Sequence, residues 1–212
     1  EQGCGTGTWG DIADGPDTFY VDPSVPDDSG DGSKAAPART IAAVLDKVPA
    51  GGRIALAAGD YPEAVVITKA IEIVGRCPSM VRLSGSVPTP TQTTATVLAT
   101  QVTGIKIRRL SIGGDGVGIY GNGGAGISVE GVWIHSAKLV GIRSFEAMTR
   151  IDVKDSWIQE TRSGDDGELG IGLVTGNGAT ATVQGCAFTK NRALGLYLTG
   201  ADAVAEVEDS VV

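Results

Sequence analysis

The stretch Ile105-Lys106-Ile107-Arg108-Arg109-Leu110-Ser111-Ile112-Gly113-Gly114-Asp115-Gly116-Val117-Gly118-Ile119 decides the fold. It contains three short runs in which apolar residues recur at every second position, divided by turn-forming residues. Period-2 alternation is the mark of a strand with one face buried. The same three runs then return. The first recurs as Ile127-x-Val129, Ile151-x-Val153, Ala181-x-Val183 and Ala205-x-Val207, at spacings of 22, 24, 30 and 24 residues counted from Ile105. The second, Leu110-x-Ile112, recurs as Val132-x-Ile134, Ser156-x-Ile158, Cys186-x-Phe188 and Ser210-x-Val212. The third, Val117-Gly118-Ile119, recurs as Val140-Gly141-Ile142, Leu169-Gly170-Ile171 and Leu194-Gly195-Leu196. Earlier pairs, Ile54-x-Leu56 and Ile71-x-Ile73, align with the first run.

A unit of this size cannot bury its own apolar stripe, whereas stacked copies bury a continuous core. Helical repeats are excluded by the period of 2 and the β-branched residues. Leucine-rich repeats would require a fixed Leu/Asn scaffold that is missing. The expected fold is therefore an all-β, right-handed parallel β-helix of about seven rungs, the last incomplete. The repeat of 30 residues takes its extra length in the polar turn 159–168, where insertions are tolerated.

The composition fits. Glycine accounts for 32 of 212 residues, yet the aliphatic content argues against disorder and the lack of a Gly-X-Y period excludes collagen. The column Gly118/Gly141/Gly170/Gly195 is expected where the coil bends, with other glycines in turns such as 121–124 and 176–178. No apolar run reaches the length of a membrane span, and from the first residues any export signal is expected to be absent or already removed. Seventeen basic against twenty-five acidic residues give a net charge of −8, which argues against nucleic acid and anionic membranes as partners.

Ahead of the rungs, residues 1–17 read as a flexible segment and 18–52 as a cap. The cap comprises a strand at Phe19-Tyr20-Val21-Asp22, a polar loop, and an amphipathic helix over 40–48 with Thr40 as N-cap. That helix is suited to cover the first rung, and the rungs occupy 53–212. At the other end the repeat stops within a rung, so further rungs or a partner are expected over the open end. Cys186 falls at an inward position, while Cys4 and Cys77 lie in loops and either pair, if the protein is exported, or remain free thiols. His135 is the only histidine, and no Cys/His spacing suggests zinc.

The entry block resembles exported bacterial right-handed β-helix proteins of the pectate-lyase-like superfamily. It runs Phe19-Tyr20-Val21-Asp22, Gly30-Asp31-Gly32-Ser33, Pro37-Ala38-Arg39-Thr40-Ile41, Ala57-Ala58-Gly59-Asp60-Tyr61 and Ile71-Glu72-Ile73-Val74-Gly75. The resemblance implies the fold and a secreted or cell-surface location; fold alone carries no activity. Hydrolases on this fold place carboxylates on successive rungs. Here Asp165-Asp166 matches one such element, but the neighbouring rungs read His135-Ser136-Ala137-Lys138 and Lys190-Asn191-Arg192, so a pair flanking a glycosidic bond is not assembled. A lyase would need Asp165, Asp166 and Glu168 to hold Ca2+, with Arg192 or Lys190 as base.

The second run places Ser111, Trp133, Trp157, Ala187 and Val211 in one outward column. Adjacent tryptophans, beside His135, suit the apolar faces of sugar rings, unless a segment such as 84–96 covers them. The column Arg108/Glu130/Lys154/Gln184/Glu208 reads as a surface charge ladder. The leading expectation is a noncatalytic module with a rigid face towards polysaccharide. A polysaccharide lyase or hydrolase using Asp165, Asp166, Glu168 and Arg192, or a purely architectural stalk, are the alternatives.

Overall fold

A computed structural model of the chain describes residues 3–212. All long pairings are parallel, and the strands form three sheets that the chain visits in turn. The first sheet holds eight strands, from Thr18–Val21 and Arg53–Leu56 to Val204–Glu208. The second holds six, from Gly59–Tyr61 to Ala187–Thr189. The third runs from Val65–Ile67 to Leu194–Thr199 and carries the two-residue strand Val87–Pro88 antiparallel to Thr94–Thr100. This is the right-handed parallel β-helix. One core runs along its axis, built from stacked columns such as Ile105, Ile127, Ile151 and Ala181, or Ile112, Ile134, Ile158 and Phe188.

Two registers differ from those read in the sequence. Ile54 pairs with Ile73 rather than Ile71, and Leu56 with Gly75. In the third sheet Val140 pairs with Ile171 and Ile142 with Leu173, so the aligned run is Ile171-Gly172-Leu173. The glycine column is thus Gly118, Gly141, Gly172 and Gly195, and Gly170 belongs to the insertion. Both errors are slips of two residues. A shift of two keeps every side chain on the same face, so the apolar pattern alone cannot distinguish the registers.

The glycine column does not make the bends. A Cβ on Gly118 would lie 2.5 Å from the carbonyl oxygen of Gly141, one on Gly141 2.6 Å from that of Gly172, and one on Gly172 2.5 Å from that of Gly195. These glycines exist because one rung's backbone presses on the next. The bends are made by single residues with left-handed backbone. Between the first and second sheets they are Arg109, Gly131, Asp155, Gly185 and Asp209, with φ from 47° to 63° outside glycine and glycine alike. Between the second and third they include Ser136, Glu160 and Lys190, and after the third Gln101, Gly123, Glu146, Asn177 and Gly200. At the first of these corners each left-handed residue donates its N–H to the next rung, as Arg109 does to Glu130, Gly131 to Lys154, Asp155 to Gln184 and Gly185 to Glu208.

The helix is shorter than the periodicity predicts, Ala42–Leu45 in place of 40–48. Beyond it the chain continues as a turn in which both Lys47 and Val48 donate to the Val44 carbonyl. Thr40 Oγ1 accepts from the Ala43 N–H at 3.3 Å, and the Glu63 carboxylate accepts from Ile41 and Ala42 at 3.0 Å each. Ile41, Val44 and Val48 are buried in the main core at its first rung. Residues 3–17, flexible by composition, lie against the outer face of the first sheet. Cys4 is joined to Cys77, Trp9 packs edge-on against Tyr20, and Ile12 is buried with Tyr20, Ala55 and Val74. Cys186 is free and buried. Among the described residues no helix is long and apolar enough to cross a membrane.

The two kinds of position should respond oppositely to mutation. Gly141→Ala should destabilise the protein by about 1–3 kcal/mol through overpacking. Asp155→Gly, at a corner where other rungs already use glycine, should be neutral or stabilising by up to about 1 kcal/mol. Urea denaturation midpoints compare them directly; a tolerated alanine at 141 would remove the close-approach account.

Candidate functional site

Two outward surfaces carry groups capable of recognition. On the second sheet Trp133 and Trp157 are direct register partners, and His135 lies opposite Gln159. Trp133 stacks on His135 with ring centroids 4.1 Å apart and planes 30° from parallel. Trp157 is 54% exposed. Segment 84–94 does not cover them: Val87 packs with Ala95, Leu98 and Tyr120 on the third sheet. Half-burial, reinforced by the Arg82 guanidinium and only partly offset by Glu160, pushes the His135 pKa down from its ordinary value.

The turns between the second and third sheets bring the expected charged residues close, but pair them with one another. Lys138 Nζ lies 2.7 Å from Asp165, and Arg162 lies 3.1 Å from Asp115. Arg162 also donates to the carbonyls of Ser136 and Gly114. Lys190 lies 3.9 Å from Glu160, and Arg192 donates to the Gly167 carbonyl at 3.0 Å. The Lys138 ammonium holds the Asp165 carboxyl below the usual carboxylate range. Asp166 turns back to accept from the Glu168 N–H at 3.0 Å.

Of the three carboxylates expected to hold Ca2+, Asp165 is turned to a lysine and Asp166 to its own loop, and among the described residues no three His, Cys, Asp or Glu side chains converge on one position. The turn column is a set of ion pairs that ties rungs together.

The second surface is one the strand alignment passed over. On the third sheet Leu98, Tyr120, Arg143, Val174 and Tyr197 are successive register partners, and beside them Asn122 pairs with Phe145. Leu98, Tyr120 and Val174 form an apolar cluster separate from the axial core. The Arg143 guanidinium carbon lies 5.5 Å from the Tyr120 ring centroid and 4.6 Å from that of Phe145. Glycine at 176 leaves room for the Phe145 ring. Among the described residues Arg143 forms no ion pair. Its Nε, the Tyr120 hydroxyl and the Asn122 Oδ1 are buried without hydrogen-bond partners. Part of the signal was present in the sequence: extending the third run one residue past its second apolar position stacks Tyr120, Arg143 and Tyr197, whereas Val174 joins them only in the register the structure reveals.

The chain shares its fold with a pectate lyase. The structure of pectate lyase Pel9A superposes with a TM-score of 0.73 over 91% of this chain, at 17% sequence identity. The match covers 52% of that structure, so this chain spans about half its length. A pectin methylesterase in complex with a hexasaccharide matches 86% of this chain and 66% of its own, at 13% identity and a TM-score of 0.44. That likeness is too distant to bear on the site. No protein-family model matches the chain, and no curated protein matches it in sequence.

The depressed His135 pKa has a testable sign. A histidine whose folded pKa lies below its unfolded value binds protons more weakly when folded, so acid favours unfolding. Its stabilising effect is complete above the unfolded pKa of about 6.5 and declines as pH falls below that value. NMR titration of the His135 ring should show a midpoint below that of the unfolded chain, and Arg82→Gln should raise it. An unchanged midpoint in Arg82→Gln would remove the guanidinium from the explanation.

Proposed function

We propose that the protein is an extracellular or cell-surface β-helix module that binds polysaccharide without transforming it, through the outer face of its third sheet. The observation carrying this reading is Arg143, set between the rings of Tyr120 and Phe145 with no carboxylate partner among the described residues. Beside it lie the unpartnered Tyr120 hydroxyl and Asn122 Oδ1. A guanidinium offers a fork of N–H donors matched to a carboxylate, and the half-buried Phe145 ring suits the apolar face of a pyranose. An acidic sugar unit supplies both complements, a carboxylate and an apolar ring face.

The net charge of −8 repels a polyanion at long range, so binding would rest on this local contact and not on bulk attraction. The mutual pairing of Asp165, Lys138, Asp115 and Arg162 supports binding over chemistry, because it leaves those groups structural. An extracellular location is supported by the Cys4–Cys77 disulfide, since such bonds persist in oxidising compartments. The half-exposed Trp157 provides a separate contact surface on the adjoining sheet.

Affinity electrophoresis through polygalacturonate and through a neutral glycan tests the assignment. Wild type should be retarded by polygalacturonate, and Arg143→Gln should lose about 10–100-fold in affinity, the worth of a charge-assisted hydrogen bond. Equal retardation of wild type and Arg143→Gln would overturn the choice of face, and Trp157→Ala would then identify the tryptophan column if it alone abolished binding. Accumulation of unsaturated uronides on incubation with polygalacturonate would overturn the noncatalytic reading.

A further inference from the structure

The amino-terminal segment has a feature that the polysaccharide reading leaves unused: it is a strap laid across the β-helix and fastened at one end by a covalent bond. Its covalent anchor is Cys4–Cys77, with Cα atoms 5.2 Å apart and a sequence separation of 73. Around that anchor, Arg76 reaches the carbonyls of Cys4 and Gly5 at 3.5 and 3.4 Å, and Arg109 that of Gly3 at 3.3 Å. Further along, Arg53 donates to the Ala13 carbonyl at 2.8 Å, and Asp14 accepts from Tyr20 and Lys34. The apolar attachment is small. Ile12 is the only residue of the segment that is buried, and its cluster with Tyr20, Ala55 and Val74 is separate from the axial core. The β-helix below owes its stacking to strands that the segment does not join.

We propose that reduction of Cys4–Cys77 releases residues 3–17 from the first sheet while the β-helix remains folded, making the segment a redox-controlled strap. In the step, a dithiol reductant attacks the disulfide and supplies two electrons and two protons. The S–S bond breaks, Cys4 and Cys77 become thiols, and the reductant leaves as its own disulfide. Cys4 is the accessible sulfur, being half-buried where Cys77 is buried. Release uncovers an apolar stripe formed by Tyr20, Ala55 and Val74, register neighbours on the first three strands of that sheet. It also frees Arg53, Arg76 and Arg109 from the segment's carbonyls, so a covered face becomes an apolar one rimmed by guanidinium groups.

Hydrogen exchange of the full chain with and without dithiothreitol tests this. On reduction, amide protection around Ile12 should fall by about tenfold or more while strands 105–108 and 127–130 keep theirs, the pattern of a local opening. The Cys4→Ser/Cys77→Ser variant should show the released pattern without reductant, and Ile12→Ala with the disulfide intact should not. Unchanged protection around Ile12 in reduced protein would overturn the proposal by showing that noncovalent contacts hold the strap. Loss of protection throughout the rungs would overturn it by making the disulfide a global staple. Neither outcome depends on glycan binding.

Discussion

Parallel strands that stack in register must satisfy each rung's N–H and C=O groups from the rung above and the rung below. The path of one rung is therefore copied by the next, and a turn that departs from it breaks the ladder on both sides. This accounts for the uniformity of the first corner, where Arg109, Asp155 and Asp209 take the same left-handed conformation as Gly131 and Gly185. That conformation costs a non-glycine residue roughly 1–2 kcal/mol, yet the ladder imposes it. The same constraint explains the glycines of the third sheet, whose missing side chains let the carbonyls of adjacent rungs approach. It also explains why the added length of one repeat is confined to the corner between Gln159 and Ile171, which touches the ladder only at an isolated bridge of Arg162 with Lys138.

Because the columns are fixed, side-chain chemistry is set by which residue each rung contributes to a column. Along the first sheet opposite charges meet within and across columns: Glu72 lies beside Arg53 of its own column at 2.6 Å and diagonally beside Arg108 at 3.3 Å, and Arg108 reaches on to Glu130 of its own column at 3.1 Å. Glu72 is the least exposed of these, and although burial opposes its charge, the two arginines hold its carboxyl below the usual range. The turn column behaves in the same way, with Asp115, Lys138, Arg162 and Asp165 joined across rungs. Asp165, one of a cluster of acids in the sequence, is on the stacked coil the counter-charge of Lys138 on the neighbouring rung.

The fold was legible because it rests on a period of 2 repeated many times, a signal that survives local irregularity. The inward columns, the Trp133–Trp157 neighbours and the outward ladder from Arg108 to Glu208 all follow from that period. What escaped has a common cause. The Leu169-Gly170-Ile171-Gly172-Leu173 run satisfies the pattern in two registers, and only the neighbouring backbone chooses between them. The corners escaped because left-handed backbone is usually sought at glycine, while here arginine, serine, glutamate and lysine adopt it. Asp165, Asp166 and Glu168 were visible as a cluster, but their partner Lys138 sits 27 residues upstream of Asp165, on another rung.

Arg143 is informative against that background. Several other arginines on outward columns meet an acid: Arg53 and Arg108 meet Glu72, Arg162 meets Asp115, Arg150 meets Asp152. In Arg143's own column the neighbouring rungs contribute Tyr120 and Val174, and its own strand contributes Phe145 two residues on. Aromatic faces stabilise a guanidinium without neutralising it, so its charge and outer N–H groups are left available to a ligand. An oxyanion brought to this face would complete the pattern of alternating charge that the rest of the coil completes internally.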